Sequence, residues 1–295
     1  VDINVDWLSF TFETGNMQAI KRESRPDVLM QRLEDELGGL ITALGVHREQ
    51  WFWGGGRAPY STSLYSEGGV TVFFSETTPH FLVEVSGRGC QHIRETSNMV
   101  EFCSRVAKRC TRIDIACDIE TVTTPKVFAD LRDKGKFKSY SLIQSETGET
   151  VYLGSKMSER YCRAYRYNEP HPRAKMLRVE FVLKGEFAKQ AAAQVATLGA
   201  KAIAVALGDT FGFVHPDWKV AREGESAILK AKRVDKHNGA TMHWLQTQVI
   251  PALIRLEGEG TISFGEFVTL LVSEHFKFDE KGARRTWTKD TFERR

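Results

Sequence analysis

At 295 residues, with 41% hydrophobic and 27% charged side chains, the chain can bury a substantial core and fits one large domain or two smaller ones. A net charge of +3 does not by itself announce a nucleic-acid partner, and no apolar run reaches the roughly 18 residues of a membrane span. Five cysteines without a CxxC pair exclude a zinc spacing and a disulfide framework, which points to a reducing cytoplasm and thiols that behave as small buried hydrophobes. The chain begins at Val1 without Met and shows no signal peptide, so residues upstream are expected.

Val5–Phe12 alternates and is rich in strand formers, so it reads as a strand. Arg25–Leu44 reads as an amphipathic helix, with Pro26 and Asp27 at its start and Leu29, Leu33, Leu37, Leu40, Ile41 and Leu44 along one stripe. Gly54-Gly55-Gly56 suggests a turn within Trp51–Tyr60, and a meander of short strands follows around Tyr60–Tyr65, Val70–Phe74 and Phe81–Val85. Ser86–Cys90 reads as a turn leading to a helix near Asn98–Lys108, and Arg112–Ile119 as the next strand. A helix over Pro125–Lys134 then precedes strands at Tyr140–Gln144 and Thr150–Leu153, joined by a hairpin turn at Glu146–Glu149. Arg160–Tyr167 and Leu177–Leu183 complete the strands, and no internal repeat is visible. Beyond residue 186 the pattern turns helical, at Ala188–Leu207, Met242–Leu256 and Phe264–Glu274. The expectation is an α+β protein: a central, largely antiparallel sheet with flanking helices over 1–185, then a helical C-terminal region with a basic tail over 186–295.

Strand alternation puts Arg112, Asp114, Ala116 and Asp118 on one face, with Ile113, Ile115, Cys117 and Ile119 on the other, which is the core face. Arg178, Glu180 and Val182 share a face in the same way, as do Tyr161, Arg163, Tyr165 and Tyr167. Paired together, these strands make one polar surface. Hard carboxylate oxygens suit Mg²⁺ or Mn²⁺, arginines neutralise charge on a phosphate, and a tyrosine can attack as the phenolate. Surface salt bridges on a wet sheet face give the same pattern. No histidine pair, P-loop or serine or cysteine nucleophile motif competes. Basic clusters at Arg105–Arg112, Lys156–Arg173, Lys230–Lys236 and Lys281–Arg295 could follow a phosphate backbone.

Val5-Asp6-Trp7-Leu8-Ser9, Val85-Ser86-Gly87-Arg88-Gly89-Cys90, Arg112-Ile113-Asp114-Ile115-Ala116-Cys117-Asp118, Val151–Ser158, Arg163-Ala164-Tyr165 and Arg178-Val179-Glu180 occur in this order. Together they resemble the replication initiation factor family, whose members include rolling-circle initiators of plasmids and replication proteins of filamentous phages. The resemblance runs from Val5 to Lys184 and continues more weakly through Trp244–Leu256. It implies a metal-dependent, tyrosine-using DNA nickase and religase. Such an enzyme recognises origin DNA, single-stranded or as a hairpin, stays joined to the 5′-phosphate, and works as a dimer with a host helicase.

Carried over by position, Asp114 and Glu180 become metal ligands, with Asp118 as third or supporting acid, and Tyr165 becomes the nucleophile beside Arg163 and Arg178. Where the family has an acid and a lysine after that tyrosine, this chain has Arg166 and Tyr167, so Tyr167 is a rival nucleophile and Tyr152 a more distant one. Arg112, Lys156, Arg166, Arg284 and Arg285 are the expected DNA contacts, with Trp287 available for base stacking or for docking on its own domain. Two alternatives stay open: a DNA-binding module of the same fold without chemistry, and a metal-dependent nuclease that uses water.

Overall fold

The strand built from Asp2 to Phe12, β1, opens a series that runs through helix α1 (Pro26–Leu37) to strands β2 (Trp51–Arg57), β3 (Tyr60–Ser66), β4 (Val70–Phe74) and β5 (Phe81–Val85). Helices α2 (Gly87–Thr96) and α3 (Met99–Val106) follow, then β6 (Cys110–Glu120), β7 (Tyr140–Ser145), β8 (Gly148–Leu153), β9 (Arg160–Tyr167) and β10 (Met176–Lys184). Helices α4 (Gly185–Leu198), α5 (Ala200–Phe211) and α6 (Ile250–Gly258) complete the order. This computed structural model describes residues 2–13, 25–37, 51–75, 78–96, 98–120, 139–146, 148–167, 176–213, 223–230 and 249–261, with single positions between and beyond them. Of the expected helices at Pro125–Lys134 and Phe264–Glu274 only isolated positions are described, among them Phe128, Arg132, Asp133, Gly265 and Glu266, and most of the first part of Met242–Leu256 lies outside the described residues.

The chain divides into two compact units, Val1–Ala231 and Lys232–Arg295. In the first, the strands form one ten-stranded sheet in the order β2-β3-β4-β5-β1-β6-β10-β9-β8-β7. Every neighbouring pair is antiparallel, and the helices flank the sheet, giving an α+β fold. The second unit contains α6. No helix among the described residues is long and apolar enough to cross a membrane.

The path repeats itself even though the sequence does not. β1 and β6 lie side by side at the centre. Each is followed by four strands that wind from an outer edge back toward the centre, β2 to β5 on one side and β7 to β10 on the other. Each set then hands over to a pair of helices that begins on a glycine, Gly87 or Gly185.

One face of the sheet carries the core. Leu8, Phe10, Ile113, Ile115, Phe181 and Leu183 are buried together with Cys90 and Ile93 of α2, Phe102 of α3, Ala188 and Ala191 of α4 and Ile203 and Leu207 of α5. Phe181 is stacked against Phe211 and met edge-on by Phe213, so Phe181→Ala would cost about 3–5 kcal/mol. All five cysteines are free and buried. Burial pushes their thiols up, Cys103 to about 12.

Three sequence expectations change. Gly54, Gly55 and Gly56 lie inside β2 rather than in a turn. A Cβ on Gly56 would come within 2.2 Å of the Ser61 backbone, and one on Gly54 within 2.6 Å of Ser63 Oγ, so the glycines permit close pairing with β3. Ser86–Cys90 is mostly the first turn of α2, because Cys90 and Ile93 place an apolar stripe on the core. α3 then starts at an Asn98 cap that accepts from the Val100 and Glu101 amides. The single helix expected over Ala188–Leu207 is two helices, interrupted at Gly199 with φ 79°.

Candidate active site

β6, β10 and β9 are neighbours, and their registers put the three polar faces together. Arg178 lies opposite Asp118 on one side and Tyr165 on the other; Glu180 lies opposite Ala116 and Arg163; Val182 lies opposite Asp114 and Tyr161. The face carried by each strand in isolation is therefore one continuous surface.

The charges on it are not surface salt bridges. Asp114 and Glu180 are each only 1% exposed. Arg112 grips Asp114 with Nε at 2.8 Å and Nη2 at 2.6 Å, while its guanidinium lies 5.0 Å from the Trp7 ring. Arg163 Nε donates to Glu180 Oε2, and the Tyr165 hydroxyl donates to Glu180 Oε1 at 2.5 Å. Arg178 forks onto Asp118 with two 2.7 Å bonds and reaches both Asp6 oxygens at 3.3 Å. Its Nη1 also stands 3.9 Å from Glu180 Oε1, which links the Asp6–Asp118 end to the tyrosine.

Asp6 was not singled out by the strand alternation. The register of β1 on β6 slips between Val5 and Trp7, so Asp6 is an extra residue. Such a bulge re-aims a side chain, here into contact with Arg178. The sequence does carry the signal: Val5 and Leu8 are both core residues, and a spacing of three breaks the two-residue period. Beside Asp6 and Arg178 opens a cavity of about 650 Å³, lined also by Asn4, Asp118, Gln91 and Arg94. Gly87 makes room there, since a Cβ would sit 3.0 Å from Asp6 Oδ1.

Burial pushes the Asp114 carboxyl above its ordinary value, and the Arg112 hydrogen bonds only partly offset this. Burial also raises Asp6, with Arg178 pulling it down and Glu180 and Asp118 pushing it up. Hydrogen bonding to Asp118 first, and the charge of Asp6 after it, hold Arg178 firmly protonated. Four carboxylates thus face three guanidiniums in a partly desolvated patch.

Asp and Glu oxygens suit Mg²⁺ or Mn²⁺ by chemistry. Among the described residues, however, no three His, Cys, Asp or Glu side chains stand together as a metal site needs. Both oxygens of Asp114, of Asp118 and of Glu180 already accept from a guanidinium or a hydroxyl. As arranged, each of these carboxylates is engaged by an arginine, and Glu180 also by the Tyr165 hydroxyl, so a divalent cation would have to share or displace those partners.

The remaining expected residues scatter. Tyr167 ends β9, paired in register with Gly148. Lys156 is exposed and sits 3.7 Å above the Tyr152 ring. Arg166, on the opposite face of β9 from Tyr165, is bonded to Glu149 at 3.0 Å. Arg284, Arg285 and Trp287 lie outside the described residues.

The sequence matches no protein-family model and no curated protein. The fold matches a solved structure described as a rolling circle replication initiator protein from Geobacillus stearothermophilus, with a TM-score of 0.56 at 19% identity. The match covers 80% of this chain and 89% of the other. At that identity the likeness is one of fold.

Proposed function

We propose that this chain is a DNA nickase and religase that initiates rolling-circle replication, with Tyr165 as nucleophile and origin DNA as substrate. The observation that carries the reading is the Tyr165 hydroxyl, hydrogen-bonded at 2.5 Å to the buried Glu180 carboxylate with Arg163 and Arg178 beside it. The fold shared with a rolling-circle initiator supports it.

In this reading Tyr165 Oη attacks the scissile phosphorus and its proton passes to Glu180 Oε1. The bond from phosphorus to the 3′-oxygen breaks, and that oxygen takes a proton from solvent. The strand is left with a free 3′-OH and a 5′-phosphate joined to tyrosine. Arg163 and Arg178 turn from their carboxylates toward the phosphoryl oxygens, where charge builds up in the transition state. Religation is the reverse, with the 3′-oxygen attacking and Glu180 returning the proton. The Mg²⁺ or Mn²⁺ implied by the family resemblance enters as a variable of the assay.

A second reading follows from one observation: each carboxylate here is already neutralised by an arginine, which suits a DNA-binding protein of the same fold without chemistry. One experiment separates them. The protein is mixed with single-stranded oligonucleotides covering its own replicon, with Mg²⁺, Mn²⁺ or chelator, and a denaturation-resistant protein–DNA adduct is sought. An adduct lost in Tyr165→Phe and kept in Tyr167→Phe supports the proposal; the reverse moves the nucleophile by two positions. Cleavage without adduct means that water attacks, and binding with neither means that the protein only recognises DNA.

A further inference from the structure

Five aromatic rings fall at polar-face positions of the sheet with a cation over each: Phe73 under Arg57 at 4.6 Å, Trp7 under Arg112 at 5.0 Å, Tyr161 under Lys184 at 5.2 Å, Tyr152 under Lys156 at 3.7 Å and Tyr165 near Arg163 at 5.9 Å. Their shared face follows from the registers, in which Phe73 lies opposite Leu82, Leu82 opposite Thr11, and Trp7 opposite Asp114. Val182 then faces both Asp114 and Tyr161, and Tyr152 faces Arg163. The cation–aromatic motif therefore runs from β4 across to β8. Its β6–β10 section carries the most deeply buried carboxylates, Asp114 and Glu180, and Glu84 of β5 is buried as well.

At the far end the rings are uncapped. Phe52 and Tyr65 lie opposite each other on β2 and β3, with centroids 5.6 Å apart, and are 42% and 43% exposed. Gly54 lets this happen, because a Cβ there would come 3.1 Å from the Tyr65 ring. Arg57, half-exposed, lies over Phe73 while its Nη2 bonds Glu84, so the guanidinium is held against the face. The exposed rings, the pinned arginine and the acid-bearing site are joined strand by strand along one surface. From β3 to β10 this spans roughly 24 Å, at about 4.8 Å per strand.

A row of aromatic rings and cations along one sheet face matches single-stranded nucleic acid, whose bases stack on rings without regard to sequence while the phosphates meet the cations. A folded protein partner would instead need a wider contiguous apolar patch. We propose that the polar face of β2–β5 is a docking platform for single-stranded DNA. Phe52 and Tyr65 serve as stacking surfaces, Arg57 faces the phosphates, and the strand leads on past Trp7 and Arg112 to Tyr165. The choice of DNA rests on the nickase reading; the platform itself rests on the rings and cations.

The test is equilibrium binding, which is independent of cleavage. Fluorescence anisotropy with a labelled oligonucleotide of about 12 nucleotides is measured for the full chain and for Phe52→Ala, Tyr65→Ala and the double variant. Each single variant should bind roughly tenfold more weakly and the double variant more weakly still, with unchanged thermal melting. Phe52→Trp should retain binding, since stacking asks only for a ring. Unchanged affinity in the double variant overturns the platform, whatever the nicking assay shows. So does a change in oligomeric state by sedimentation with DNA affinity intact, which would make this face a contact between copies. Lost binding in a protein that forms no adduct leaves the platform standing while the nickase reading falls.

Discussion

On the polar face of β1 and β5, facing positions hold Ser9 with Glu84 and Thr11 with Leu82; on β6 and β10 they hold Asp114 with Val182 and Ala116 with Glu180. The core faces of the same strands are alike, Leu8 with Val85 and Phe10 with Val83 against Ile113 with Leu183 and Ile115 with Phe181. The two halves of the sheet follow one path and bury equivalent cores, yet the β6–β9–β10 side loads its other face with Arg112–Asp114, Arg163–Glu180 and Arg178–Asp118, whereas among the described residues the β2–β5 side carries there the single pair Arg57–Glu84. Core packing constrains one side of a strand and leaves the alternate side chains free to take on chemistry. A half that needs only a surface keeps rings and small polar groups there, with Arg57 and Glu84 as its one ion pair among the described residues.

The strongest way to break this contrast is to remove the tyrosine. Tyr165→Phe should lower nicking on the order of 10⁴-fold or more, as loss of a covalent nucleophile does, whereas Thr11→Ala in the other half should leave the rate unchanged. Comparable losses from both would mean that the halves are not divided by function. Glu180→Gln should slow nicking by roughly 10²- to 10⁴-fold with DNA binding retained, read from single-turnover rates.

Stability offers the next contrast. Asp114→Ala strands Arg112 beside a desolvated cavity and should cost about 3 kcal/mol by chemical denaturation, against less than about 1 kcal/mol for Thr11→Ala. Asp114 also leaves a signature in pH. Its carboxyl is raised above the ordinary 3.8 in the folded protein, so the folded state holds the proton more tightly than the unfolded chain. That contribution is fully present below the ordinary value and is lost as pH rises through the raised one. Asp114→Asn should flatten this part of the stability profile; superimposable profiles for the two proteins would refute the assignment. The smallest expected effect is coupling between Asp6 and Asp118 through Arg178, at about 1 kcal/mol in a double-mutant cycle.

The strands that carry the site were legible because alternation survives in them: Ile113, Ile115, Cys117 and Ile119 against Arg112, Asp114 and Asp118 is a pattern that can pack only one way round. Their pairing with each other was an inference from composition, and the registers supply it. Asp6 escaped because a bulge shifts the phase of β1, and period-two reading assumes a constant phase. The glycines of β2 escaped because glycine marks both turns and close strand pairing, and only the neighbouring Ser61 and Ser63 distinguish the two. The burial of Asp114 and Glu180 was not visible either, since an acid on a sheet face reads the same whether water or an arginine covers it.

The buried cysteines have a use that lies outside the chemistry of the site. Cys90 and Cys103 belong to the helices that follow β5, while Cys117 and Cys162 belong to β6 and β9. With thiols held protonated by burial, an alkylating reagent can reach them only when the surrounding structure opens. Pulsed labelling followed by peptide mapping would thus clock each half separately, with no engineered probe, and reveal whether the sheet opens as one body or comes apart along the seam between β1 and β6.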